Sequence, residues 1–421
     1  MRSARCVGRS FFPLDKELGL LSGNLSPYVH ESVVRLGSWI PFGPTAEILQ
    51  DLLGVQISKA QVRRVTEAAG MAYVTMQTQA VERIEREAPA PPKGADKMVF
   101  SVDGAMIPLR HGEWAEVKTL VIGEVPPAVL ERREKGVHAR RLSYFSRLTD
   151  AEQFGRLSLV EMYRRGVEHA PEVAAVMDGA EWEQGYTDYH CPQAERILDF
   201  AHAGQRIGQV GQALWGEGTP QTHQWTAERL HQLKHQGPAA ILSELSQLQE
   251  EHPDMNVIHE NLAYLQKRQT HMRYPQFQQQ GWPIGSGMVE SGNKLVVEAR
   301  MKGAGMHWQR DNANPMLALR NVVCSDRWRE DWPLIAQQLR QQTQERRNQN
   351  REKRYLAKSP PSPVISEIPC TAQPQKPIAI TPKSAHGKPT RSGSKKPAPN
   401  HPWRHSPIGR ALYQPSKNAK K

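Results

Sequence analysis

The amino-acid sequence predicts an α/β protein in which a mixed-sheet core contains a helical insertion. A small helical domain precedes the core and a disordered basic tail follows it. Three observations carry this prediction. Short apolar or alternating runs recur between residues 97 and 203, as expected for the strands of one sheet. Apolar residues at three-to-four spacing predict helices on both sides of those runs. A Pro-rich stretch at residues 88–97 separates the first helices from the first strand.

The first predicted elements are two helices within residues 1–90. PFGPTAEILQDLLGV repeats apolar residues at helical spacing, a turn follows at Gly54, and Ser58 is the expected N-cap of KAQVRRVTEAAG. A helix, a short turn and a second helix bearing Arg63 and Arg64 form the layout of a DNA-reading helix-turn-helix. An ordinary helical hairpin with solvated arginines fits the same pattern, so both interpretations stay open.

The predicted sheet begins after the Pro-rich boundary. KMVFSVDGAMIPL, EWAEVKTLVIGEV and RRLSYFSRL predict three consecutive strands, and DAEQFGRLSLVEMYRRGVE predicts a helix. VAAVMDGAEW predicts a buried fourth strand, and AERILDFAHA predicts a fifth. This order is typical of a mixed α/β core, which we assign to residues 97–203.

Helical periodicity returns in AERLHQLKHQGPAAILSELSQLQEEH and ENLAYLQKRQTHM, which predicts an insertion at residues 204–280. It continues through SGNKLVVEARMK and NPMLALRNVVCSDRWREDWPLIAQQLRQQ, so residues 281–345 are expected to form the last helices of the core. Pro, Ser and Lys dominate residues 356–421. Such a composition buries too little apolar surface to fold, so this tail is predicted to be disordered.

The positive charge of the chain is concentrated in that tail. The 421 residues carry a formal net charge of +12, but residues 351–421 alone hold 15 basic and 2 acidic side chains, a net of +13. Residues 1–350 therefore carry a net charge of −1. Nonspecific attraction to phosphates is expected of the tail, whereas specific chemistry is expected of the nearly neutral remainder.

Composition also argues against several classes of protein. No run approaches about 18 consecutive apolar residues, so no membrane-spanning helix is expected. The N-terminal segment has no apolar signal-peptide core, and a cytoplasmic protein is the simplest expectation. The four cysteines form no CxxC pair, which argues against a disulfide scaffold or a Cys-rich zinc site. Cys191 and Cys324 are expected to pack as small buried residues.

Two predicted strands reach an aspartate followed by glycine, at Asp103 in SVDG and at Asp178 in VMDG. Asp-Gly is a common turn pair, so either copy alone would be unremarkable. An aspartate in an apolar strand is costly to bury unless it is paired or binds a metal. Two copies on two strands of one sheet therefore favour a convergent carboxylate pair, the kind of ligand that Mg²⁺ prefers.

The segment GWPIGSGMVESGNKLVVEARMK offers a third carboxylate, Glu290, near the start of a helix. Asn293 and Lys294 follow one turn later on the same face. Asn293 is suited to orient a water or substrate, and Lys294 to contact a phosphate. Taken alone, Glu290 is better explained as a helix-terminal carboxylate favoured by the macrodipole. After Asp103 and Asp178, it completes a strand–strand–helix set of three acidic residues.

Tryptophans and cations surround this segment. Trp282, Trp308, Trp328 and Trp332 are expected to pack in the core, with stacking on a flipped base as the alternative. Arg300 and Lys302 are candidate phosphate contacts, and a solvated basic face is the competing interpretation.

Several long sequence segments of the chain resemble those of bacterial insertion-sequence transposases of the DDE superfamily, and more narrowly those of the ISKra-type group. These segments are SVDGAMIPL with EWAEVKTLVIGEV, VMDGAEW, YHCPQAERILDFAHA, YPQFQQQGWPIGSGMVESGNKLVVEARMKGAGMHW and NPMLALRNVVCSDRW, with FFPLDKELGL and PFGPTAEILQDLLGV before them. The resemblance covers roughly residues 10–335. One departure concerns a paired-cysteine segment that similar proteins carry near the N-terminus, where this chain has only Cys6.

The resemblance implies an RNase H-like catalytic core in which Asp103, Asp178 and Glu290 bind two Mg²⁺ or Mn²⁺ ions. It also implies that residues 204–280 are an insertion before the last catalytic helix. Superfamily members carry an acidic residue or Cys three positions before a His, and Asp199 and His202 match that spacing. His202 is expected either to contact DNA near the scissile phosphate or to be a structural histidine.

The expected activity is DNA transposition by two displacements at one site. Water cleaves the element's end and frees a 3′-OH, which then attacks target DNA. The expected partners are double-stranded terminal inverted repeats, target DNA and a second copy of the chain, with no membrane. Two alternatives stay open: a DNA-binding protein without cleavage activity, and an RNase H-like nuclease that cuts branched DNA without strand transfer.

Overall fold

A five-stranded mixed sheet forms the centre of the fold, as the sequence predicts. The computed structural model describes residues 20–21, 25–126 and 137–356. The strands are β1 (Lys97–Pro108), β2 (Trp114–Glu124), β3 (Arg140–Arg147), β4 (Glu172–Met177) and β5 (Glu195–Leu198). The expected tail beyond Leu356 and the segment before Leu20 lie outside the described residues.

The strand order across the sheet is β3-β2-β1-β4-β5. β2 runs antiparallel to both β1 and β3, whereas β4 runs parallel to both β1 and β5. β1 therefore stands between an antiparallel and a parallel neighbour. Crossovers between parallel strands need a covering helix, and these connections supply helices to the faces of the sheet.

Helices cover both faces. The helices before the sheet are α1 (Pro27–Trp39), α2 (Phe42–Leu53) and α3 (Lys59–Glu87). Those interspersed with and following the strands are α4 (Ala151–Arg165), α5 (Glu181–His190), α6 (Phe200–Trp215), α7 (Pro220–Gln236), α8 (Ala239–Glu251), α9 (Asn256–Lys267), α10 (Tyr274–Gln279), α11 (Gly287–Gly292), α12 (Ala299–Met301), α13 (Arg310–Cys324) and α14 (Trp328–Leu356). None of the described helices is both long and apolar enough to cross a membrane.

Alternation along β1 divides its buried side chains between the two faces. Phe100 and Val102 pack with Phe154 of α4 and Tyr186 of α5. Ala105 and Ile107, together with β2, pack against α11, α13 and the turn between them. A third apolar cluster joins β4 and β5 to α6–α10, the helices of the predicted insertion. The insertion thus lies against the parallel half of the sheet.

α2 and α3 form the predicted helical pair, and α1 precedes them. Gly54 ends α2 in the left-handed conformation, and the Ser58 hydroxyl accepts the Gln61 N–H at 3.2 Å, which confirms the predicted N-cap. α3 continues 29 residues to Glu87, well beyond the predicted KAQVRRVTEAAG segment. Gly70 lies within this continuous helix, and its lack of a side chain lets the backbone of Pro315 in α13 approach closely.

Two predicted strands end earlier than expected. VAAVMDGAEW is a strand only to Met177, and Glu181 begins α5. AERILDFAHA is a strand only to Leu198, because the Asp199 carboxylate accepts the His202 N–H at 3.1 Å and caps α6. The helical block therefore begins at Phe200 instead of residue 204. In both cases, polar residues suited to a helix start follow directly after a buried strand.

The helix that carries Glu290 has an unusual centre. Residues Asn293–Glu298 form a π-helical segment between α11 and α12. The buried Arg320 side chain of α13 donates to the carbonyls of Leu295 and Val296 in this segment. π-helical turns widen the helix and are frequent at functional sites. Here the widened turn directly follows the candidate carboxylate.

Candidate active site

Asp103 and Asp178 lie on neighbouring parallel strands. The β1–β4 register ends at the pair Phe100 and Ala175, and the two aspartates come three residues after these positions. Asp103 lies within β1, opposite Thr119 of β2, and Asp178 directly follows β4. The structure therefore brings together the two carboxylates that the sequence analysis singled out.

Asp103 is partly buried and held by two donors. Its carboxylate accepts the Gly104 N–H at 2.6 Å and the Asn293 side-chain amide at 2.9 Å. Burial raises the pKa of Asp103, and the neighbouring Asp178 charge raises it further, against the lowering effect of these hydrogen bonds. Such a carboxylate lacks a full countercharge, and a cation placed between the two aspartates would supply it.

Glu183 lies in the first turn of α5 and adds a buried carboxyl next to Asp178. It is 1% exposed and accepts the Gly179 N–H at 3.0 Å. Burial raises the pKa of Glu183 to about 10, and its hydrogen bond to Asp178 and the Asp178 charge act in the same direction. At neutral pH this carboxyl is protonated, so it serves Asp178 as a hydrogen-bond donor without adding negative charge.

Asp199 and His202 form an acid–histidine pair beside the aspartates. His202 Nδ1 lies 2.8 Å from an Asp199 oxygen, and the other oxygen accepts the Ser286 N–H at 2.8 Å. Burial alone would raise the pKa of Asp199, but the hydrogen bonds from His202 and Ser286 outweigh it and lower the pKa. The hydrogen bond to Asp199 raises the pKa of His202, and the charges of Asp178 and Asp103 contribute. His202 is therefore close enough to both aspartates for their charges to act on it.

In the helix that begins at Gly287, Asn293 and Glu290 have different surroundings. Asn293 is buried and bonds Asp103, while its side-chain oxygen is buried without a hydrogen-bond partner. Glu290 lies one turn earlier, with its side chain 67% exposed and its carboxylate 2.5 Å from Lys294 Nζ. Asn293 thus reaches the aspartates directly, whereas Glu290 pairs with Lys294.

The donor set suits a hard divalent cation. Asp103 and Asp178 provide carboxylate oxygens as possible metal ligands. The side-chain oxygen of Asn293, which has no hydrogen-bond partner, is a further possible oxygen ligand beside Asp103. Within the part of the chain that the structure describes, no three His, Cys, Asp or Glu side chains are close enough to hold an ion together. Asp103 and Asp178 therefore lie near each other, whereas the third expected carboxylate, Glu290, forms an ion pair with Lys294.

The other candidate cations divide into exposed and buried residues. Arg63 and Arg64 are exposed on α3, with Arg63 3.9 Å from Glu67. Lys302 pairs with Glu298 at 2.7 Å. The expectation that Arg300 contacts a phosphate needs correction, because its side chain is 2% exposed and donates to the Gly37 carbonyl at 3.2 Å. Arg300 instead joins the end of α1 to the helix that carries Glu290.

The tryptophans around this helix are packing residues, as the sequence analysis favoured. The four are buried, namely Trp282, Trp308, Trp328 and Trp332. Cys191 is also buried, and Cys324 is half-buried. None of the four tryptophans is available to stack on a base without rearrangement of the core.

Sequence reasoning missed three residues that surround Asp178. Glu183 lies in a polar stretch with no marked apolar periodicity, and Tyr264 and Arg268 lie about 90 residues further along the chain. The only sequence signal was the short spacing of Glu183 from Asp178, which gives no indication of burial.

No protein-family model matches this chain, and no curated protein is significantly similar to it.

Proposed function

We propose that this protein is a DDE transposase with an RNase H-like core, which cleaves DNA at insertion-sequence ends and joins the freed 3′-OH to target DNA. The observation that carries this proposal is the carboxylate pair, Asp103 on the central strand and Asp178 at the end of the adjacent parallel strand. The strand order and the mixed parallel and antiparallel pairing are consistent with an RNase H-like sheet.

In this proposal Asp103, Asp178 and Glu290 hold two Mg²⁺ or Mn²⁺ ions. The fit is supported by the raised pKa of Asp103 and by the unpartnered Asn293 oxygen next to it. When bound, two divalent cations activate the attacking oxygen and stabilise the leaving oxygen of an in-line displacement. Glu290 would hold a cation in place of Lys294, because an exposed ion pair of this kind is weak.

The protein side chains position these groups. Asn293 orients the Asp103 carboxylate, and neutral Glu183 holds Asp178 through a hydrogen bond. Asp199 fixes the ring of His202, and this hydrogen bond raises the pKa of the imidazole. An imidazole held in this way is suited to contact the phosphate that undergoes cleavage.

The DNA-contacting surface is proposed to include the exposed arginines of α3. Arg63 and Arg64 follow the Gly54 turn and the capped start of this helix. Lys294 becomes available for a phosphate when Glu290 releases it, and Lys302 lies further along the same helical stretch. The basic residues beyond 356 add affinity without sequence preference. Action at two DNA ends favours a homodimer or larger assembly on DNA.

The proposal is tested with Asp103→Asn, Asp178→Asn and Glu290→Gln in a Mg²⁺-dependent assay on a labelled terminal inverted repeat. Each substitution removes a charge with little change of shape. Each should lower cleavage and strand transfer more than about 100-fold, because a two-cation site depends on its carboxylates, while DNA affinity should stay within about twofold. Full activity of any one variant would show that its residue is not catalytic.

Glu181→Gln is the matched control, because Glu181 lies three residues after Asp178 and its side chain is 84% exposed. It should retain wild-type activity. Substrate choice separates the alternatives: sequence-specific binding with no metal-dependent cleavage would indicate a DNA-binding protein. Cleavage of branched DNA with no strand transfer would indicate a structure-selective nuclease.

A further inference from the structure

The helical insertion contacts the backbone of the Asp178 turn. The Tyr264 hydroxyl of α9 donates to the Asp178 carbonyl. Arg268, which follows α9, donates to the Gly179 carbonyl from Nε at 3.0 Å and also from Nη2. Two side chains of the insertion therefore bond the two consecutive carbonyls at and after the candidate catalytic aspartate.

These contacts belong to a tightly packed arrangement. Arg268 is 8% exposed, and its guanidinium carbon lies 3.8 Å from the centroid of the Tyr264 ring. Arg206 of α6 lies 4.3 Å from the same centroid. A guanidinium over an aromatic face is held by cation–π attraction as well as by its hydrogen bonds. The donors that reach the turn are therefore fixed in place by other parts of the insertion.

Gly179 is fitted to the same contacts. Its φ is +88°, and a Cβ atom at this position would lie 2.6 Å from Arg268 Nε and 2.8 Å from the Tyr264 hydroxyl. Any side chain would push the insertion away from the turn, and it would also strain the backbone. The Asp178–Gly179 turn and the insertion are complementary at close range.

The turn is also held by α5 and by a hydrogen bond within the turn itself. Gly179 N–H is bonded by Glu183, and the Asp178 carboxylate accepts the Ala180 N–H at 2.8 Å. A carbonyl oxygen has two lone pairs, and Arg268 directs two donors to the Gly179 oxygen. Two bonds from one planar guanidinium restrict the orientation of the turn more than a single bond would.

We propose that Tyr264 and Arg268 are positioning residues through which the helical insertion fixes the orientation of the Asp178 carboxylate toward its divalent cation. This inference rests on the proposed function. It gives the insertion a role at the site, since its two donors act on the backbone that carries the carboxylate. Residues that orient metal ligands typically alter metal affinity or activity about 10–100-fold when they are replaced.

The test uses Tyr264→Phe and Arg268→Lys in the full chain. Tyr264→Phe removes one hydroxyl, and Arg268→Lys keeps the charge but loses the paired donors. The first measurement is the Mg²⁺ concentration that gives half-maximal cleavage, which should rise about tenfold in each variant. Cleavage at saturating Mg²⁺ should recover to within about threefold of wild type, because positioning is restored by mass action.

The second measurement is the rise in melting temperature that Mn²⁺ causes in the absence of DNA. Each variant should need about tenfold more Mn²⁺ for the same rise. For Tyr264→Phe, the melting temperature in chelator should stay near that of wild type, so a purely structural role is distinguished from positioning. If Arg268→Lys proves unstable, Tyr264→Phe still decides the question.

Lys267→Gln is the control for charge at the end of α9, because Lys267 is exposed and pairs with exposed Glu181. It should leave both measurements unchanged. The inference is overturned if both variants keep wild-type Mg²⁺ and Mn²⁺ requirements while Asp178→Asn is inactive. Full activity of Asp178→Asn would overturn the proposed function, and this inference with it.

Discussion

The buried carboxyl of Glu183 predicts an unusual pH dependence of stability. Its pKa is about 10 in the folded protein, compared with an ordinary value of 4.5. Between these values the folded state binds one more proton than the unfolded chain, so this group lowers stability progressively as pH rises from about 5 toward 10. Glu183→Gln replaces the neutral acid with a neutral amide of similar shape that can still accept the Gly179 N–H.

The size of the effect follows from the distance between pH 7 and the ordinary pKa of 4.5. At about 1.4 kcal/mol per pH unit, keeping Glu183 protonated at pH 7 costs about 3.5 kcal/mol. An unfolding entropy of about 2.1 cal/mol/K per residue gives about 0.7 kcal/mol/K for roughly 320 folded residues. Glu183→Gln should therefore raise the melting temperature by about 5 °C at pH 7.

The assay is thermal unfolding by circular dichroism in chelator, so that no divalent cation shifts the titration. The difference between Glu183→Gln and wild type should be small at pH 5 and should grow with each pH unit up to pH 9. Glu181→Gln, an exposed acid two positions earlier, should show no such growth. A difference that is constant with pH, or a variant less stable than wild type at pH 8, would refute the assignment of a protonated Glu183.

Three further predictions follow from packing and charge. Gly70→Ala should destabilise the fold by about 1–3 kcal/mol, because its Cβ would lie 2.2 Å from the Pro315 carbonyl oxygen. Gly208→Ala should instead stabilise α6 by about 0.5–1 kcal/mol, because the nearest atom to its Cβ would be 3.8 Å away. Urea unfolding measures the free energy of unfolding of both variants. Arg320→Met should cost about 3–5 kcal/mol in the same assay, since it leaves the buried carbonyls of Ser38 and Val296 without this donor. A loss below about 1 kcal/mol would show that water replaces the guanidinium. Deletion of residues 357–421 should weaken binding to random-sequence DNA at low salt and flatten the dependence of the binding constant on salt, with terminal-repeat preference retained; an unchanged slope would exclude phosphate contacts by the tail.

Much of the sheet could be predicted from the sequence because buried strands are short and continuously apolar. β1 to β3 coincide with predicted runs and β4 with the first part of its run, and the two Asp-Gly pairs indicated a carboxylate within β1 and one directly after β4. The start of α6 was misplaced, since AERILDFAHA is apolar enough for a strand throughout. Asp199 ends the strand by capping a helix, and a cap competes locally with strand periodicity.

The surroundings of the site could not be predicted because they depend on tertiary contacts. Glu183 is one of several acids in EWEQGYTDYH, and only the packing of α5 on the sheet buries it. Arg300 belongs to a basic stretch that suggested phosphate contacts, yet the end of α1 covers its side chain. Glu290 was expected beside the aspartates, whereas Asn293, the first residue of the π-helical segment, contacts Asp103.

Strand transfer by purified protein tests the central claim most directly. A labelled terminal inverted repeat with a free 3′-OH is incubated with target DNA, with and without Mg²⁺, and the joined product is measured for wild type and for Asp103→Asn. The account predicts joining only with Mg²⁺ and only for wild type, with DNA binding equal in both proteins. Joined product from Asp103→Asn at the wild-type rate, or joining by wild type in chelator, would contradict it.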